Sequence, residues 1–103
     1  MTKTAAECST MEEIRENIDR IDQALMTLFA ERWSFIDRAA EIKAGLGIKA
    51  DVPERVKQVR ENARRNAAAL GLDGAFYEDL WAQLIQRAIA HEKVLLGETE
   101  GDR

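Results

Sequence analysis

Four charged residues stand where the sequence otherwise builds apolar helix faces. Arg32 takes one place in an apolar series that runs Ile14, Ile18, Ile21, Leu25, Leu28, Phe35, Ala39 and Ile42. Lys43 comes later in the same stretch. At 100° per residue it returns to within about 20° of Arg32, roughly 16 Å further along the helix. Glu92 falls one turn beyond Ala88 on the apolar side of a later segment, and Arg55 lies just after the only proline, Pro53. Three cations and a carboxyl group converging on a helical core would make a small pocket for an anion. Each residue also has a plainer explanation. An arginine on a seam can snorkel or pair with a neighbouring glutamate, a lysine near a helix C-terminus suits the helix dipole, and Glu92 could be solvated near a helix end. Spacing alone leads to a helical oligomer with a possible anion pocket and no further.

The element that must position these groups is Ile14–Lys43, IRENIDRIDQALMTLFAERWSFIDRAAEIK, which contains neither Pro nor Gly. Its 3-4-3-4 apolar spacing predicts one long helix. Those residues would span about 45 Å, whereas a domain of this size has a radius of gyration near 13 Å, so the helix needs company from another chain. Thr10 and Glu13 have capping-box spacing, as have Ser9 and Glu12, which predicts a start near Met11. Gly45 and Gly47 predict its end near Lys43 or Ala44, followed by a mobile loop over Gly45–Val52. Asp51 as an acidic cap and Pro53 in the first turn predict a second helix from Pro53 to about Leu70, stopped by Gly71. Its stripe is thin: Val56, Val59, Ala63, Ala67 and Leu70. Asp73 caps a third helix from about Ala75 to Leu96, with Phe76, Leu80, Leu84, Ala88 and Leu95 on one side and Trp81, Ile85 and Ile89 widening it. Residues 1–9 read as frayed and the tail GETEGDR as solvated. The whole chain, 1–103, reads as one all-α domain whose ordered part is about 10–97.

Composition narrows the class. The chain has 103 residues, 46% hydrophobic and 33% charged, with a formal net charge of −4. An acidic balance does not favour nucleic acid or an anionic membrane. The basic residues of the second helix are diluted by Glu54 and Glu61. One cysteine, Cys8, excludes an internal disulfide and fits a reducing compartment. No apolar run is long enough for a membrane span, and the polar start MTKTAAECST reads as no signal peptide, so a cytoplasmic protein is expected. His91 has no ligand partners at metal spacing and reads as surface. Trp33 and Phe35 read as packing. The sequence has no Gly-rich phosphate loop, nucleophile elbow or zinc pattern, and no metal or cofactor is expected.

The long stretch resembles the first helix of the all-helical chorismate mutases, with their I/L-R-x-x-I-D-x-I/L-D opening continuing through L-x-x-R to a terminal lysine. The resemblance extends through PERV and LGLDGAFYEDLWAQLIQRAIAHE, over about residues 8–96. It implies three helices per chain in an intertwined homodimer with its long first helices paired. It places Arg32, Lys43, Arg55 and Glu92 in one site and brings Arg15 from the partner chain. Geometry agrees: Arg15 and Arg32 lie about 25 Å and roughly 100° apart on a straight helix, too far for one small ligand. By the resemblance the substrate is chorismate, a dicarboxylate that rearranges pericyclically to prephenate, an early step towards aromatic amino acids. Arg15 and Arg32 would clamp its carboxylates, while Lys43 and Glu92 would face the ether oxygen. Two departures stand out: Val56 where many members carry Glu, and Ala88 where many carry Ser. The opening, with Cys8, Met11 and IDRID, and the PERV run are also similar to isochorismate pyruvate lyases, which share the fold. Glu92 rather than Gln at the ether-oxygen position tilts the reading towards the mutase. An amino-substituted chorismate is a third candidate substrate, and a non-catalytic helical interaction module is the alternative of a different class.

Overall fold

Glu13 starts the first helix. Its backbone N–H donates to Thr10 Oγ1 at 3.1 Å, and its carboxylate accepts the Thr10 N–H at 3.2 Å and the Ser9 N–H at 3.0 Å. The reciprocal box satisfies donors that a helix N-terminus leaves open. Lys3 also pairs with this carboxylate, and the two interactions hold the Glu13 carboxyl down at about 2. The computed structural model describes residues 3–98. It consists of a single 3-10 turn, Ala5–Glu7, and three helices: α1 Met11–Leu46, α2 Pro53–Ala69 and α3 Gly74–Leu95. There is no strand among the described residues. The segment expected to fray is therefore partly built, from Lys3 onward, because Thr4 and Glu7 form a capping box of their own.

Two compact units divide the chain, one reaching to Phe35 and one beginning at Ile36, with α1 contributing to both. In the first unit the seam of α1 stays open. Ile18, Ile21, Leu25 and Leu28 are exposed, and Phe35 is 68% exposed.

In the second unit α2 packs on α3. Ala50, Ile85 and Ile89 form the core, with Val56, Val59 and Leu96 against them. Ala40, Ala63, Ala67 and Ala88 are also buried. Small side chains let helices approach closely, and Gly74 shows how closely. A Cβ there would lie 3.0 Å from both the Arg64 side chain and its carbonyl oxygen. Glu78 then ties α3 to α2, meeting Arg64 Nε at 2.6 Å and Arg60 Nη2 at 3.1 Å. These two arginines depress the Glu78 carboxyl, Arg64 most strongly.

All three helices end alike. Gly47, Gly71 and Gly97 have φ of +69°, +78° and +74°. In each case the next residue, Ile48, Leu72 or Glu98, sends its N–H five residues back, to Lys43, Ala67 or Lys93, at 2.8–2.9 Å. This is the Schellman ending, which needs the left-handed conformation that glycine adopts without strain.

Some expectations change. Helix α1 runs on to Leu46, so Gly45 lies inside it. Asp51 does not cap α2: the N-cap is Val52, whose carbonyl accepts from Arg55 and Val56 N–H at 2.9 and 3.0 Å. Pro53 at N1 has no N–H to satisfy, so a side-chain cap has less to do. Leu70, Phe76 and Leu95, expected on the packed stripes, are exposed. The loop after α1 is anchored rather than free, because Ala50 within it is 3% exposed. Of the tail, Glu98 is half-buried and bonded to Ala50; residues 99–103 lie outside the described residues.

Candidate active site

Lys43 belongs to the last turn of α1, and the ending of that helix fixes its backbone, since its carbonyl accepts the Ile48 N–H at 2.9 Å. Lys43 lies in the second unit, and its side chain meets others of that unit. Nζ donates to Glu92 Oε1 at 2.7 Å and to the Ala50 carbonyl at 2.9 Å. Glu92, on α3 one turn after Ala88, is 6% exposed and is the buried charged residue among those described. A carboxylate removed from water to that degree needs a partner, and Lys43 supplies it. The expectation that Lys43 and Glu92 converge is met. Glu92 is not a solvated helix-end residue.

The neighbouring contacts fix this pair. Ala50 seats its methyl against Ile85 and Ile89 and donates its N–H to Glu98 Oε2 at 2.9 Å. One residue before Glu92, His91 Nε2 lies 2.5 Å from Asp37 Oδ1. His91 was expected at the surface and is instead half-buried. The pair joins α1 to α3 beside the Lys43–Glu92 contact. Nothing in the sequence joined Asp37 to His91, which lie 54 positions apart. Ala50 and Glu98 had no sequence signal either.

Arg55 is exposed in the first turn of α2, where its guanidinium bonds to Gln58 Oε1 at 2.5 Å. It lines a groove with Val52, Glu54, Lys57, Gln58 and Glu61, a set that does not include Lys43 or Glu92. Arg15 and Arg32 belong to the first unit, where Arg15 is exposed and Arg32 half-buried. Val56 packs against the Ala50–Ile85–Ile89 core. Ala88 is buried in the same unit. Among the described residues no cluster of His, Cys, Asp and Glu is arranged to hold a metal ion, and no helix is long and apolar enough to cross a membrane.

An all-helical chain with a buried ammonium–carboxylate pair linking its first and third helices is what this site defines. Residues 14–93 match the chorismate mutase type II family, and the chain belongs to that family. It is 34% identical over 99 residues to an isochorismate pyruvate lyase of Pseudomonas aeruginosa, covering 96% of this chain and 97% of that one. It is 37% identical over 83 residues to a chorismate mutase of Methanocaldococcus jannaschii, covering 81% and 80%. It is 32% identical over 84 residues to a 4-amino-4-deoxychorismate mutase of Streptomyces pristinaespiralis, covering 82% and 65%. Membership makes the protein an enzyme of the isomerase or lyase kind with a small-molecule substrate.

Proposed function

We propose that this protein is a chorismate mutase, converting chorismate to prephenate for aromatic amino acid synthesis. Its 103 residues would act as one domain in a homodimer with shared sites. The observation that carries the reading is the buried contact of Lys43 with Glu92 at 2.7 Å. The rearrangement is pericyclic, so the protein's work is to hold the substrate folded and to stabilise the negative charge that grows on the ether oxygen as its C–O bond breaks. An ammonium has three N–H groups. Two are committed, to Glu92 and Ala50, and the third is available to the ether oxygen. Glu92, once it carries a proton, donates to the same atom.

Arg32 binds one substrate carboxylate and Arg15 of the partner the other, each as a bidentate fork. Arg55 swings from Gln58 to complete the grip. The exposed seam of α1, Ile18 to Phe35, supports a second copy as its cover. The single cysteine suits work in a reducing compartment, the cytoplasm.

The second reading is isochorismate pyruvate lyase, favoured by similarity along 97% of such a protein. That elimination also breaks an ether C–O bond, so Lys43 would serve it equally. Purified protein incubated with each substrate decides between them. Prephenate from chorismate is the expected product; salicylate and pyruvate from isochorismate, without prephenate, would establish the lyase. Turnover of neither would sink both.

A further inference from the structure

Glu98 is given no role in the chemistry above beyond its contact with Ala50, yet the end of α3 is built to aim it. After Leu95 the chain turns through Gly97 at φ +74°, and the Glu98 N–H closes on the Lys93 carbonyl at 2.8 Å. The Glu98 backbone is thus part of the helix ending. From there Oε2 accepts the Ala50 N–H at 2.9 Å. The carbonyl of the same Ala50 accepts from Lys43 Nζ at 2.9 Å. With its methyl buried against Ile85 and Ile89 as well, Ala50 is held on three sides.

We propose that Glu98 is a positioning residue for Lys43. By fixing Ala50 it fixes one of the two acceptors that steer the Lys43 ammonium, and so aims the third N–H. Glu98 touches no substrate; it acts through the Ala50 backbone. The consequence for turnover rests on the reading of Lys43 as the group that meets the substrate, whereas the consequence for the ammonium itself does not.

The test uses the full chain with 15N-labelled lysine, comparing wild type with Glu98→Ala and Glu98→Gln. The Lys43 ammonium resonance is identified by its loss in Lys43→Arg and is followed without substrate. A glutamine keeps a carbonyl acceptor of the same reach, so Glu98→Gln should keep the water-protected signal and Glu98→Ala should lose it. With chorismate, Glu98→Ala should lower kcat about tenfold with KM changed less than about twofold, since a misaimed group costs more in the transition state than in binding. Glu98→Gln should recover most of that loss. If Glu98→Ala does not fold, Glu98→Asp, one methylene shorter, takes its place with the same expectations. An ammonium signal and kcat unchanged in the Ala or Asp variant would overturn the proposal. So would equal losses of signal and melting temperature in both the shortened and the Gln variants, which would mark Glu98 as a structural tie. A wild-type protein that does not turn over chorismate refutes the mutase reading, and the ammonium signal still decides the role of Glu98.

Discussion

Lys43 and Glu92 meet at 2.7 Å although 49 residues separate them. The lysine side chain is 21% exposed and the glutamate side chain 8%. Breaking a pair of this kind from one side leaves a charge in a poor solvent, which costs about 3–5 kcal/mol, whereas replacing both partners with apolar groups is often neutral. Lys43→Met should therefore destabilise the fold strongly, and Lys43→Met combined with Glu92→Leu should recover most of the loss. Denaturant unfolding of the two single variants and the double variant measures the coupling. Additive losses would show that the contact contributes nothing of its own.

Gly45 and Gly47 should respond to alanine with opposite signs. Gly45 lies inside α1 in open space, so Gly45→Ala should stabilise by about 0.5–1 kcal/mol. Gly47 is equally uncrowded but holds φ +69°; a Cβ in that conformation costs roughly 1–2 kcal/mol. Thermal melts of the two variants settle the matter. Equal shifts would mean that α1 ends before Gly45.

Glu78 gives a pH signature. Arg64 and then Arg60 hold its carboxyl below its ordinary value of 4.5. A carboxyl with a depressed pKa in the folded state contributes stability that is present above its unfolded value. That contribution is lost as pH falls through the folded value. Glu78→Gln should lower the melting temperature at neutral pH, and the gap to wild type should close as the solution is acidified well below pH 4.5. Because the arginines are solvent-facing, added salt should narrow the gap too. A gap that persists in acid would point to shape rather than charge.

The sequence carried the helices because each has its own punctuation. Thr10 with Glu13, Pro53, Asp73 and the three glycines after the helices are local signals, and local signals are what a sequence displays. It also carried Lys43 and Glu92, since a charge on an apolar stripe is conspicuous. Ala50 and Glu98 were illegible for the opposite reason. An alanine in a loop and a glutamate in a polar tail look ordinary, and their importance arises only when α3 ends beside the loop before α2. Leu70 and Phe76 show the limit of periodicity, which identifies an apolar face but not whether the same chain covers it.

The shared-site reading predicts complementation. Arg15→Ala and Arg32→Ala should each be nearly inactive as homodimers. Unfolded together and refolded, they should regain up to about a quarter of wild-type activity, because half the dimers are hybrids and each hybrid rebuilds one of two sites. Activity that stays at the level of the separate variants would remove Arg15 from the site. Sedimentation of the wild type as a monomer would also leave the exposed seam of α1, with Phe35 at 68%, without its proposed cover.

Glu92 presents the sharpest demand. In the free protein its Oε1 accepts from Lys43, and an ionised carboxylate has nothing to donate. Beside an ether oxygen that is gaining negative charge it would oppose the reaction. It helps only as a hydrogen-bond donor. Glu92→Gln has nearly the same shape and a permanent N–H donor, and its amide oxygen can still accept from Lys43. It should keep or improve activity at neutral pH. Glu92→Ala should instead lose activity, by roughly the 100-fold typical of a lost transition-state donor. The measurement is kcat for the three proteins at neutral pH, with folding checked for each. A glutamine variant as dead as the alanine one would confine Glu92 to holding Lys43 in place.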